Sequence, residues 1–303
     1  DGPVDEVAEV LTNPDGSRVL RTHTQRTFYK DSTGRFAMID VRLKLAADGS
    51  VVSTGDSVSY RFDKSGVTVE ALKGQPLRFR PEGGEKVDPV LAKDGLSVTY
   101  PGVFGPDVDV KYTVSAGGLK EDVILKRPQG RTEFPFILDG AEVAPIARGA
   151  DGRAVPAGTR SVSVGGKDAG LILAPPVAVD KAGAEVPAAV SKIALADRGR
   201  DGAGRQRLGL SADPGWLNGL AADAYPVVLD PIVGVSTPMA QWANLRWFWP
   251  WGTGATSVAC TDPPGPCPRQ LGAAQDGNIF REHLGFNLGG LWSVIDQNPG
   301  VSV

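Results

Sequence analysis

The sequence predicts an all-β fold, a large antiparallel β-sandwich (supersandwich-like) followed by a smaller β domain that is either incomplete or unusual. Three observations lead to this fold class. Apolar and polar residues alternate with a period of two over many short runs, which is typical of half-buried strands. Clusters of Asn, Asp, Ser, Gly and Pro separate these runs at short intervals. No long segment places its apolar residues at helical spacing.

Alternating runs define the first strands. The segment 35–45 predicts one half-buried strand with four aliphatic residues on the same face. These residues are Ile39, Val41, Leu43 and Leu45. Shorter alternating runs follow at 57–62, 67–69 and 77–80, each bounded by turn residues. Antiparallel pairing of neighbours along the chain is the expected arrangement.

The clearest hairpin joins residues 108–114 to residues 119–125. Val108, Val110, Tyr112 and Val114 share one face of the first strand, and the charged residues between them face solvent. The glycine pair at 117 and 118 supplies the positive φ angles that a tight reversal needs.

The second half of the sandwich is rich in Ala, Gly, Val and Pro. Strands are predicted at 134–138, 161–164, 170–173, 207–210 and 225–231, with a hairpin tip at 198–205. The prolines within these stretches predict sheet edges or strand starts. We therefore place one sandwich at 1–232, with possible halves 1–127 and 128–232, and a second domain at 233–303.

Composition argues against several classes of function. Lys and Arg number 32 and Asp and Glu 35, so the net charge of −3 leaves no general footprint for nucleic acid or an anionic membrane. No apolar run approaches the roughly 18 residues of a membrane span. With two His and two Cys in 303 residues, we expect no metal site, no cofactor and no enzymatic activity.

Compartment is indicated by the start of the chain and by its cysteines. The chain opens at Asp1 without a basic or apolar leader, so either a leader has been removed or the sequence starts downstream of one. Cys260 and Cys267 enclose six residues, three of them proline, which can close into a disulfide in an oxidising compartment. The alternative is two free thiols in a reduced cell. We expect a secreted or cell-surface protein.

Candidate catalytic groups are few. His23 and His283 are the only imidazoles, and we expect an exposed strand histidine and a partly buried structural one. Two carboxylate pairs, at residues 107 and 109 and at residues 121 and 122, are expected to be solvated or paired with Lys111 and Lys120. No calcium loop of the Asp-x-Asp-x-Asp-Gly type is present. The turn 213–216 is expected to anchor its tryptophan in the core.

Tryptophans near residue 250 form the one candidate binding site. Four of the six lie within ten positions: Trp242, Trp247, Trp249 and Trp251. In an extended chain the last three point to the same side, since alternate residues share a face. Such a row can pack against the sandwich, form a protein interface or stack on sugar rings.

Several segments together resemble the amino-terminal region of secreted actinobacterial RHS/YD-repeat proteins. They are 12–17, 28–36 with 39–40, 98–104, 108–112, 118–126, 213–217 and 225–231. The segment 278–288 is similar to the start of a DNRLRE-type β-sandwich, although the Trp-rich stretch before it departs from that pattern.

This resemblance implies an exported, non-catalytic β-module at the front of a larger surface or polymorphic-toxin protein. Its partner would be a downstream YD-repeat shell or another part of the same protein. The rival hypothesis is binding to cell-wall glycan through the tryptophan row.

Overall fold

Short antiparallel strands make up nearly all the regular structure of the computed structural model. It describes residues 1–23, 26–71, 76–116, 118–148, 155, 157–164, 166–181, 192–230 and 232–235, together with the short strand segments 272–273, 279–280 and 301–302. The predicted all-β sandwich is confirmed. Within the described residues, no helix is long and apolar enough to span a membrane.

The strands are numbered along the chain. The first half contains β1 Gly2–Asp5, β2 Ala8–Thr12, β3 Arg18–Thr22, β4 Phe28–Lys30, β5 Phe36–Met38, β6 Lys44–Leu45, β7 Val51–Ser53, β8 Val58–Asp63, β9 Gly66–Ala71, β10 Leu77–Pro81, β11 Val90–Leu91, β12 Ser97–Tyr100, β13 Val108–Ser115 and β14 Gly118–Leu125. The second half contains β15 Glu133–Asp139, β16 Glu142–Pro145, β17 Arg160–Val164, β18 Lys167–Leu173, β19 Val177–Val179, β20 Ile193–Arg200, β21 Gln206–Ala212, β22 Val227–Asp230, β23 Ile232–Val235, β24 Gly272–Ala273, β25 Ile279–Phe280 and β26 Val301–Ser302.

Two large sheets form the sandwich. One has eight strands in the order β20-β21-β15-β10-β9-β8-β7-β6. The other has ten: β11-β12-β13-β14-β23-β18-β17-β16, with β22 pairing both β14 and β19. Both sheets take strands from before and after residue 128. The first three strands and β26 form a separate small sheet, and β4 pairs β5 as a hairpin.

Side chains from the two sheets interlock in one core. Tyr112 of β13 lies 5.7 Å from Phe62 of β8, measured between ring centroids. Phe134 of β15 makes an edge contact with Phe104 at 5.6 Å. The hydroxyl of Tyr100 donates across the layers to the carbonyl oxygens at the β8–β9 turn. Aromatic side chains therefore fill much of the space between the sheets.

Aspartates set the geometry of the hairpin turns. In the turn before β7, Oδ1 of Asp48 accepts from the backbone N–H of Ser50 at 3.1 Å, and Gly49 takes a φ of +82°. In the β4–β5 turn, Oδ1 of Asp31 accepts from the N–H of Thr33 at 2.8 Å. An aspartate that bonds two residues ahead, followed by a glycine in the left-handed region, closes the turn locally. Hairpin register follows from these short motifs.

The predicted hairpin is confirmed by β13 and β14, which pair from Val108 opposite Leu125 to Ser115 opposite Gly118. The predicted aliphatic face of β13 is buried, as the alternation required. The 198–205 tip is also a hairpin, although β20 extends to Arg200 and the turn is shorter than predicted.

The prediction of one strand over 35–45 was wrong. The segment divides into β5, an isolated bridge between Asp40 and Gly55, and β6. Its backbone crosses from the small hairpin to the large sheet, so Ile39 bonds to the carbonyl of residue 27 and Leu43 to that of residue 95. Leu43 is buried, whereas Leu45 is 68% exposed at the sheet edge.

The prediction that prolines mark sheet edges or strand starts also failed for Pro135. It lies in β15, a central strand between β10 and β21. Its carbonyl accepts from the N–H of Glu82, one residue beyond the end of β10. Because Pro135 has no N–H, the reciprocal bond to the carbonyl of Glu82 cannot form, and the proline lies one position beyond the last residue pair of the β10–β15 ladder.

Candidate functional site

The tryptophan row, the cysteine pair and one histidine lie outside the described residues. They are Trp242, Trp247, Trp249, Trp251, Cys260, Cys267 and His283. The hypotheses built on these residues stay predictions.

His23 is half-buried rather than exposed, and it lies just beyond the end of β3. Its Nε2 is 3.2 Å from Oε1 of Glu9, and its ring meets Phe28 edge-on at 5.5 Å. These contacts attach the end of β3 to the neighbouring strand and to β4. They give the imidazole a structural role in the small sheet.

The first carboxylate pair is engaged by cations other than those predicted. Asp109 lies 2.7 Å from Nζ of Lys126 and also accepts from the N–H of Gly102. Asp107 lies 2.7 Å from Nε of Arg127. Both carboxylates bind the loops that flank the β13–β14 hairpin.

Glu121 is a clear correction, because this residue is neither solvated nor at the surface. It lies on β14 directly opposite Tyr112, with both side chains buried. Burial raises the pKa of Glu121 to about 7; the Tyr112 hydroxyl opposes this, and Asp122 and Asp230 add to it. A carboxyl inside the sandwich is thus protonated over much of the acidic range.

The other predicted pair member, Asp122, does bind Lys120. Nζ of Lys120 lies 2.5 Å from Asp122 and 3.0 Å from Asp230 of β22. Burial alone would lower the pKa of Lys120, but the two carboxylates outweigh it and the pKa is raised. Lys120 therefore bridges β14 and β22, which place the carboxylates of Asp122 and Asp230 side by side.

The turn at 213–216 begins a short helix, α1 Pro214–Gly219. Oδ1 of Asp213 caps it by accepting from the N–H of Trp216 at 2.7 Å. Leu217, 2% exposed, is its buried anchor, while Trp216 is half-buried against the core. Beside the helix start lies an open groove of about 320 Å³. All three charged residues that line this groove are in ion pairs: Lys192 pairs with Asp213, and Glu133 pairs with Arg198.

A different feature was missed at the level of sequence: an apolar residue on the outer face of the eight-stranded sheet. Ile137 of β15 is 6% exposed, yet it is separate from the core that holds Phe134, Phe136 and Leu138. Its cross-strand partners are arginines on both sides, Arg80 of β10 and Arg207 of β21. Arginine stems cover apolar surface in such positions. We call Ile137 with these two arginines the Ile137 patch.

Other arginines on this side of the sheet are matched by carboxylates. The pairs are Arg78 with Asp63 at 2.5 Å, Arg198 with Glu133 at 2.7 Å, Arg205 with Asp201 at 2.5 Å and Arg207 with Glu82 at 2.8 Å. Arg80 differs: its Nε and Nη2 are buried and meet no hydrogen-bond acceptor. The Arg78-Phe79-Arg80 alternation signals outward arginines, but not that an isoleucine lies between two of them.

No family model, curated protein or solved structure matches this chain. Among the residues that the structure describes, no group of three or more His, Cys, Asp or Glu side chains is arranged to hold a metal ion.

Proposed function

We propose that this chain is a non-enzymatic, extracellular structural and interaction module of an RHS-like surface or polymorphic-toxin protein. Its role is to pack on, or cap, another part of that protein. The observation that carries the proposal is the filled sandwich: inward side chains of both sheets occupy the space between them. A framework of this kind offers its outer faces, rather than an interior pocket, to a partner.

Polar groups in the described residues support a framework role. Arg26, whose side chain is 3% exposed, joins the small sheet to the sandwich. Its Nη2 lies 2.8 Å from Asp56, its Nε 3.1 Å from Glu6, and its Nη1 donates to the carbonyl oxygen of Ala116. A buried guanidinium with several acceptors holds separate elements in one geometry.

The resemblance to the amino-terminal region of RHS/YD-repeat proteins supports the placement of this chain in a larger protein of that kind. Most of the motifs that carry it coincide with strands and turns of the sandwich, including the β13–β14 hairpin, α1 and β22, and the segments 12–17 and 28–36 lie in the small sheet and the β4–β5 hairpin. Their roles in the fold are structural: the hairpin builds the ten-stranded sheet and α1 is capped by Asp213.

The test is association. The full chain is mixed with a separately expressed Tyr-Asp repeat region from the same gene, and binding is measured by isothermal titration calorimetry. We expect a Kd in the micromolar range or tighter, typical of an interface of standard size. Absence of such repeats from the gene, or a Kd weaker than about 1 mM, contradicts the proposal.

Binding to cell-wall glycan is the second candidate, and the spacing of Trp247, Trp249 and Trp251 favours it. A peptidoglycan pull-down compares the full chain with its Trp249→Ala variant. Retention that the substitution abolishes would establish this function in place of the first. Equal retention of both proteins rejects the tryptophan row as a sugar platform.

A further inference from the structure

Arg80 is the unmatched cation of the Ile137 patch. Its Nε and Nη2 carry hydrogens that point to one edge of the guanidinium, and both atoms are buried without an acceptor. By contrast, Nε is the one buried nitrogen of Arg78 without an acceptor, since Nη2 of Arg78 binds Asp63. A buried charged donor that makes no hydrogen bond is unfavourable, and structures normally satisfy it.

The unsatisfied edge is the one that receives a carboxylate side-on. The same chain shows this arrangement at Arg42, where Nε lies 2.9 Å from Oδ1 of Asp40 and Nη2 lies 3.1 Å from Oδ2. Two parallel N–H···O bonds of this kind give both strength and direction. Arg80 presents the same two atoms beside the apolar side chain of Ile137.

The charge balance of the face selects the type of ligand. Around Arg80, the arginines at positions 78, 198, 205 and 207 pair with the carboxylates at positions 63, 133, 201 and 82. Asp139 lies opposite Arg78 in the ladder and contributes to the raised pKa of Arg205. Because the charges around Arg80 balance, with Asp139 offsetting Arg80, a phosphate or a polyanion gains no net attraction from this surface. A single carboxylate set in an uncharged surface needs no such net attraction.

We propose that the Ile137 patch is a docking site for a partner protein, which inserts one Asp or Glu side chain against Arg80. The carboxylate binds side-on to Nε and Nη2, and apolar atoms of the partner cover Ile137. Since both nitrogens are covered in the free chain, the Arg80 side chain turns outward as the partner binds. Arginine beside a buried apolar residue is the composition typical of interface centres. This inference rests on the proposed function and names the surface that performs it.

The first experiment uses the full chain and acetate as the probe. The Nε–Hε signals of the arginines are followed by NMR at constant ionic strength, and Arg80→Lys identifies the signal of Arg80. We expect a saturable shift of that signal with a Kd on the order of 10 mM. Arg207, which is already paired with Glu82, is the matched control and shows no saturable shift. Inorganic phosphate binds more weakly than acetate.

A shift that fails to saturate, equal responses of Arg80 and Arg207, or tighter binding of phosphate overturns the carboxylate site. The second experiment repeats the calorimetric titration with the repeat region, using Arg80→Lys, and we expect binding weaker by at least about 10-fold. Unchanged affinity overturns the docking site and leaves the proposed function standing. If the unsubstituted chain does not associate but the acetate shift saturates, the proposed function fails and the carboxylate site remains.

Discussion

Replacing Glu121 by Gln tests whether the sandwich interior holds a titrating carboxyl. Glu121 lies on β14 opposite Tyr112 of β13, and both side chains are buried. Gln has nearly the same shape and stays neutral at every pH. The two proteins therefore differ in stability only at pH values where the carboxyl of Glu121 is charged in the unfolded chain or in the folded protein.

The size and sign of the effect follow from the pKa of this carboxyl. Its ordinary value is 4.5, and burial raises the pKa of Glu121 to about 7 in the folded protein. Between these values the folded protein keeps a proton that the unfolded chain has released, so the free energy of unfolding falls as the pH rises. A difference of about 2.5 pH units corresponds to about 3 kcal/mol. This contribution is fully present below pH 4.5 and is lost as the pH passes 7.

The assay is urea unfolding of both proteins at several pH values from 4.5 to 8. We expect similar free energies of unfolding at pH 4.5 and an advantage of about 3 kcal/mol for Glu121→Gln at pH 8. Glu70→Gln is the matched control, since Glu70 is exposed on the neighbouring sheet. A difference between wild type and Glu121→Gln that stays constant across this range refutes the argument.

Three further substitutions test the framework through urea and thermal unfolding. Arg26→Ala leaves the buried carboxylate of Asp56 without its cation and lowers the free energy of unfolding by about 3–5 kcal/mol. Arg42→Ala, at an exposed ion pair, costs less than about 1 kcal/mol, and similar losses for the two variants would contradict the role of Arg26. Gly66→Ala places a Cβ 2.2 Å from the carbonyl oxygen of Phe79, at a φ of +126°, and lowers the free energy of unfolding by more than about 2 kcal/mol. The control Gly16→Ala adds a Cβ that meets no atom within 4 Å, and equal costs for the two variants would contradict the close approach at Gly66. Asp213→Ala removes the N-cap of α1 and lowers the free energy of unfolding by about 1 kcal/mol, while Asp213→Asn keeps most of the capping energy. If Asp213→Ala is as stable as the wild type, the cap does not contribute to stability.

Local sequence was sufficient for those parts of the fold that local chemistry determines. The β13–β14 hairpin follows from alternation on both sides of a short turn. Where the chain passes between sheets, alternation fails, because Ile39 and Leu43 bond to backbone groups far apart in sequence. Pro135 misled for the same reason, since only the register with β10 shows that it lies one position beyond the last residue pair of the β10–β15 ladder.

Ionisable residues were harder to place than apolar ones. Glu121 follows Lys120 and precedes Asp122, so its neighbours suggest a charged surface, yet strand alternation with Leu119 and Val123 puts it inside. A strict period-two interpretation of β14 identifies the buried carboxyl. Its raised pKa depends on the depth of burial and on Asp230, which comes from a strand about a hundred residues later.

The Ile137 patch depends entirely on such long-range order. Arg80, Ile137 and Arg207 belong to three strands that become neighbours only because β15 lies between β10 and β21. Within β15, Ile137 is a buried aliphatic residue on the outer face, since Phe134, Phe136 and Leu138 already supply the core face. An aliphatic residue on an outer face between two long cations is stabilised by their stems when the chain is alone. The same residue becomes the centre of a contact when a partner displaces those stems. The buried side chain of Ile137 on the outer face and the unmatched edge of Arg80 therefore point to one surface of the sandwich.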